Sequence, residues 1–150
     1  MTYTTPSIKF VKLHPDAKLP QFNTRDLLTG DIGADVYSVE SKTIPANGSA
    51  VVDVGLQVGF IEPGYYFIIS PRSGLGFKHS IQPHLGRIDN QYRGNLSVKL
   101  YNFSSIDYNV SVGDRIAQLE FHKLIQPDLT WAEEVSTTDR GSNGFGSTGR

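Results

Sequence analysis

Between residues 50 and 60 the chain alternates strictly, with Val52, Val54, Leu56, Val58 and Phe60 on one side and Asp53, Gly55, Gln57 and Gly59 on the other. A period of two predicts a β-strand whose apolar face turns inward. Residues 96–100 repeat the pattern on a smaller scale, Leu96, Val98 and Leu100 standing against Ser97 and Lys99. Runs rich in β-branched and aromatic residues at 8–13, 35–39, 65–70, 108–112 and 115–123 predict further strands, separated by turn signals such as Ala46-Asn47-Gly48 and Glu62-Pro63-Gly64. No long stretch carries the apolar period of a substantial helix, and one short helix is predicted over 73–78 despite its two glycines. Many short strands at fairly even spacing predict an all-β chain, whether a sandwich, a jelly roll or a distorted β-barrel.

At residue 136 the pattern stops. Ser, Thr, Gly and Asn dominate from there on and only Phe145 is large and apolar, too little apolar area to offset the entropy of ordering. Residues 136–150 are therefore expected as a flexible arm on a core domain of residues 1–135. With 150 residues one domain suffices. The absence of cysteine excludes disulfides and thiolate chemistry, and the histidines at 14, 79, 84 and 122 lack the paired spacing of a structural zinc. The first residues lack a basic region followed by an apolar stretch, and no run is long enough to span a bilayer. The expectation is a protein in solution inside the cell, cytoplasmic or otherwise intracellular, without membrane contact. A net charge of −1, with basic and acidic residues interspersed, argues against direct binding to long nucleic acid. A few convergent arginines can still hold a small phosphorylated ligand.

Five segments join glycine to charged or hydroxyl residues in a way that an ordinary solvent loop does not require. Residues 86–94, GRIDNQYRG, end a short strand at Ile88 and set Asp89 beside Tyr92 in a turn bracketed by glycines. A carboxylate fixed at its base and exposed at its tip can orient a water as general base, although Asp and Asn at a turn also bond local backbone. Residues 71–76, PRSGLG, offer Arg72, the Ser73 hydroxyl and a run of backbone amides through Gly74, the makings of a concave anion site. DIGADVYS at 31–38 places Asp35 on a strand, GDRIAQL at 113–119 puts Arg115 and Gln118 at the start of another, and RGSNGFGSTG at 140–149 carries an arginine, an aromatic and two hydroxyls on the arm. The glycine-rich arm has neither the lysine nor the preceding strand of a Walker phosphate loop.

Taken in order, the five blocks resemble the five sequence blocks of the trimeric dUTP pyrophosphatases, over nearly the whole chain. GDRIAQL and PRSGLG match without a gap, IDNQYRG keeps Ile-Asp and Tyr-Arg-Gly at their spacing, RGSNGFGSTG differs mainly at Asn143, and DIGADV is the loosest. The resemblance implies a jelly-roll homotrimer with active sites shared between subunits, hydrolysing dUTP to dUMP and pyrophosphate with Mg2+, so that uracil stays out of DNA and dUMP is supplied for dTMP synthesis. By the same resemblance Asp89 is the base that orients the attacking water, and Tyr92 packs under the deoxyribose with Ile88 beside it. Arg72, Ser73, Gly74 and Gln118 are implied as phosphate contacts. Asp35 is implied to hold a metal-bound water, the ion itself resting mainly on the substrate phosphates. The arm is implied to close over the nucleotide, with Arg140, Ser147 and Thr148 toward the terminal phosphate and Phe145 and Gly146 over the uracil.

One stretch departs from the family pattern. Between Lys78 and Asp89 the sequence HSIQPHLGRI has no asparagine to read the uracil edge, which leaves His84, Gln82 or backbone groups for that role. Two other functions fit the same scaffold: a dCTP deaminase-like enzyme, which calls for a catalytic glutamate after the PRSG block, and a nucleotide-responsive binding protein that signals to a partner.

Overall fold

The computed structural model describes residues 5–146. In chain order the elements are β1 (Ile8–Lys12), β2 (Gly33–Tyr37), β3 (Lys42–Ile44), β4 (Ser49–Ile61), β5 (Tyr65–Ser70), α1 (Ser73–His79), β6 (Ile81–Pro83), β7 (Gly86–Ile88), β8 (Asn95–Asn102), β9 (Tyr108–Val110) and β10 (Arg115–Lys123). They form two four-stranded sheets, ordered β1-β4-β8-β6 and β2-β10-β5-β7, and a ribbon β3-β9, all antiparallel. The chain crosses repeatedly between the sheets, the arrangement of a jelly roll.

The inward faces share one core. Val52, Val54, Val58, Phe67, Val98, Leu100, Ile116 and Leu119 are each no more than 2% exposed. Burial of such a side chain stabilises by roughly 1.5–3 kcal/mol. Phe67 anchors the centre, with the rings of Phe10 and Phe121 at 6.1 and 5.8 Å.

The alternation that predicts β4 holds along most of its length and then changes phase. Opposite β1, Lys9 pairs with Phe60 and Phe10 with Val58, so Gly59 is an extra residue. That bulge turns Phe60 to the surface and Ile61 into the core. The inward placement of Phe60 expected from the sequence is corrected accordingly. A second irregularity lies between Asp53 and Leu56, at Gly55, whose φ is +69°. A Cβ there would meet side chains of His14 and Val39 at 2.9 Å, so glycine alone fits. β2 begins at Gly33, two residues before the expected strand, because Ala34, Asp35 and Val36 are all buried and show no alternation.

Regular structure ends with β10. The Leu124 N–H still donates to Gly64 O at 2.8 Å, but residues 125–146 form no element and, among the described residues, hydrogen-bond only within the segment. Ile125, Leu129, Trp131 and Val135 are exposed along it. No helix of the described residues is long and apolar enough to cross a membrane.

Candidate active site

Strand register brings three of the sequence blocks together. Asp35 on β2 lies opposite Gln118 on β10, and Gln118 lies opposite Ser70 on β5. Residues directly opposite one another share a sheet face. The chain leaving Ser70 then carries Arg72 and Ser73 to the same place, and a notch of about 450 Å³ is lined by Asp31, Gly33, Asp35, Arg72, Ser73 and Gln118, among others.

Asp35 is the electrostatic centre of this notch, its side chain only 6% exposed. Oδ1 accepts a hydrogen bond from Arg72 Nε at 2.9 Å, and Arg115 Nη1 stands 3.8 Å from Oδ2. The second distance brings charge near but supplies no hydrogen bond, and Oδ2 is buried without a donor among the described residues. Such an oxygen is fitted to accept from a ligand or a held water. Gln118 fixes the loop beside it, its Nε2 donating to Pro71 O at 2.8 Å. Gly33 allows this, since a Cβ there would lie 2.2 Å from Gln118 Oε1.

Arg72 also caps α1, and neither a side-chain cap nor an acidic residue occupies the first turn. The leading amides of a helix have no partner within it, so the backbone at Ser73 and Gly74 is free to meet an anion. Nothing lies within 4 Å of a Cβ built on Gly74.

The third block forms a separate place. Asp89 follows β7 and is exposed; its carboxylate makes no hydrogen bond among the described residues and lines neither this notch nor the cavity described next. Its turn is rigid all the same. Tyr92 N–H donates to Asp89 O at 3.0 Å, Arg93 Nη1 reaches Asn90 O and Tyr92 O at 2.7 and 2.8 Å, and Asn90 Nδ2 lies 2.9 Å from both Glu62 O and Tyr65 O. The Tyr92 hydroxyl donates to Asn95 O at 2.6 Å. Its side chain folds over position 94, where a Cβ would overlap the Tyr92 hydroxyl and meet ring carbons at 2.5–2.8 Å, so Gly94 is required for the pose. Tyr92, Ile88 and His84 come together around a cavity of about 230 Å³ bordered by Ile69, Leu96 and Lys99.

The remaining sequence candidates stand apart. Gln82 is exposed on β6 and lies outside that cavity's lining. Arg140 closes a local turn by donating to Asn143 O, while Phe145 and Gly146 are exposed on the arm. Ser147 and Thr148 lie outside the described residues. The spacing of charged residues gave no hint of Asn90, which serves the site only by anchoring its turn. Arg93, one of the two arginines of the third block, binds that turn's own carbonyls.

The donor set also bears on Mg2+. Among the described residues no three His, Cys, Asp or Glu gather closely enough to hold a metal ion. Magnesium keeps several waters and leans on few carboxylates. One buried acceptor, Asp35 Oδ2, fits a metal-bound water if the ion's other ligands arrive with the substrate.

A notch with an unpartnered buried carboxylate oxygen, an arginine and open helix amides, and apart from it a cavity sized for a single ring, fit one class: a hydrolase of nucleotide polyphosphates on a jelly-roll scaffold. The dUTPase family model matches residues 23–149. The deoxyuridine 5'-triphosphate nucleotidohydrolase of Yarrowia lipolytica is 41% identical over 145 residues, covering 95% of this chain and 89% of that protein. The tomato protein of the same name, from Solanum lycopersicum, is 40% identical over 158 residues, covering 97% and 93%. The structure of Staphylococcus bacteriophage 80alpha dUTPase with dUPNHPP superposes with a TM-score of 0.82 at 27% identity, covering 97% of this chain and all of that one. The chain belongs to the dUTPase family.

Proposed function

We propose that this chain, a dUTP hydrolase by family, cleaves dUTP to dUMP and pyrophosphate in a site that one subunit cannot complete. The observation that carries the reading is the separation of its parts. Asp35, Arg72, Ser73 and Gln118 line one cavity, and Ile88, Tyr92 and His84 line another. A homotrimer would set the first of one subunit against the second of its neighbour. The exposed apolar side chains of residues 125–135 favour the same conclusion, because single molecules rarely leave so much of that surface uncovered.

In this assembly Arg72, Ser73, Gly74 and Gln118 hold the phosphates, and Asp89 draws a proton from the water that attacks the α-phosphorus in line. Neutralising the polyanion is the larger part of the task, since negative charge repels a nucleophile. When bound, Mg2+ would share that neutralisation through the phosphates, with Asp35 Oδ2 accepting from one of its waters. Tyr92 packs against the deoxyribose and leaves no room for a 2′-hydroxyl. The arm, residues 136–150, closes on the bound nucleotide, Arg140, Ser147 and Thr148 meeting the terminal phosphate and Phe145 with Gly146 covering the base.

The decisive experiment mixes two inactive chains, Asp89→Asn and Arg72→Lys, by refolding them together, and assays pyrophosphate release from dUTP. If each site takes Asp89 and Arg72 from different subunits, one site in each hybrid trimer, roughly one quarter of all sites at equal mixing, is intact and activity returns. No recovery at any mixing ratio would place both residues of a site in one chain and end the shared-site reading. Run on the natural chain with dUTP, dCTP, dTTP and UTP in parallel, the same assay should show turnover of dUTP above the rest.

Ending the chain after Asp139 tests the arm. Turnover should fall by about 10²-fold or more, as expected when charge-stabilising donors and water exclusion are lost together, while sizing chromatography still reports a trimer. Full turnover by the shortened chain would remove the arm from the mechanism.

A further inference from the structure

We propose that His84 distinguishes uracil from cytosine and that Tyr101 sets it to do so; this rests on the dUTP-hydrolase reading above. His84 follows β6, and its backbone N–H donates to Lys99 O at 2.7 Å. Its Nδ1 lies 3.0 Å from the Tyr101 hydroxyl, with the two rings edge to face at 6.0 Å and 62°. Tyr101 is itself held, stacked on Phe103 at 6.0 Å with Lys99 Nζ 5.5 Å from its ring centre. His84 lines the cavity of Tyr92 and Ile88, whereas Tyr101 borders a different hollow with Phe103. The imidazole therefore borders the first cavity while its Nδ1 is held by a hydroxyl that lies outside that cavity's lining.

The pairing decides where the proton sits. A neutral imidazole has one N–H and one bare nitrogen. A phenol yields its proton far more readily than a neutral imidazole N–H does. Tyr101 therefore donates, Nδ1 accepts, and Nε2 carries the hydrogen, an assignment made from the hydrogen-bond partner. His84 thus offers the cavity a donor of fixed sense.

That sense suits one base. Uracil carries the exocyclic oxygen O4 where cytosine carries an amino group, so the same N–H finds an acceptor on one and a second donor on the other. Two donors face to face leave both unpartnered, which costs binding. The other polar side chains around the cavity lack this bias: the Asn95 amide and Ser97 hydroxyl turn to give either sense, and Lys99 is drawn over Tyr101. Gln82 is exposed opposite Tyr101 on the strand pair, and its amide would suit either base.

The test measures kcat/KM for dUTP and dCTP in the natural chain, Tyr101→Phe, His84→Ala and the double variant. Tyr101→Phe keeps the ring and removes the hydroxyl, and the dUTP-to-dCTP ratio should fall about tenfold, mostly through a lower KM for dCTP, because the freed tautomer offers cytosine an acceptor worth one uncharged hydrogen bond. His84→Ala should lower the ratio at least as far, and Tyr101→Phe should add nothing in its background. Nitrogen NMR of the natural chain should find the His84 proton on Nε2, and Tyr101→Phe should show both tautomers. An unchanged ratio in either single variant, or a proton on Nδ1 in the natural chain, overturns the proposal while dUTP hydrolysis stands. Failure of the natural chain to hydrolyse dUTP removes the underlying reading as well.

Discussion

Asp89→Asn lowers kcat for dUTP by about 10²–10⁴-fold, the usual contribution of a positioned general base, and leaves stability within about 0.5 kcal/mol. The two halves of this expectation come from the same geometry. The Asp89 carboxylate makes no hydrogen bond among the described residues, and its turn is held by Asn90, Arg93 and backbone groups instead. Exchanging one oxygen for an amide nitrogen therefore removes no contact of the fold. It does remove the lone pair that takes the proton. Steady-state kinetics and urea unfolding on one preparation check both points. A variant with full turnover sinks the general-base role; one that is inactive because it unfolds shows that the turn depends on the carboxylate after all.

Arg72→Ala lowers both quantities. Its Nε gives Asp35 Oδ1 the one hydrogen bond that this carboxylate receives among the described residues, and the Asp35 side chain is nearly out of water. Deleting one partner of a buried pair typically costs 3–5 kcal/mol. Here Arg72 keeps some solvent contact and Arg115 remains 3.8 Å away, so a loss of about 2–3 kcal/mol is expected in urea unfolding. Loss of a forked phosphate donor should lower kcat/KM for dUTP by about 10²–10³-fold. Arg72→Lys separates the two effects: an ammonium restores part of the stability but cannot present two parallel donors to a phosphate. Natural stability in Arg72→Ala would show that the pair is not what holds Asp35 in place.

Much of this was legible in the sequence where burial is one-sided. β5 and β10 run over Tyr65–Ser70 and Arg115–Lys123 as their residues predict, and α1 extends one residue beyond its expected end. The failures have local causes. β2 is buried along most of its length and offers no alternation, β3 is too short to register a period, and the phase change at Gly59 leaves only a glycine as its trace. The site residues were legible as blocks because their order was, yet their grouping was not. Nothing in a linear sequence says that Gln118 faces Asp35 across a ladder, or that Tyr101 stands behind His84. Those facts belong to register, which the chain settles only on folding.

The Asn90 anchor has a consequence for how the molecule assembles. Its side-chain amide reaches back 25 and 28 residues, to Tyr65 O and Glu62 O at the turn joining β4 and β5. Those spans are shorter than many that the sheets close, such as Ser49 with Tyr101 or Asp35 with Gln118, so loop closure does not hold the Asp89 turn back. The anchor ties the turn to the β4–β5 connection, and a chain that has closed that connection holds a fixed frame for the water-binding carboxylate.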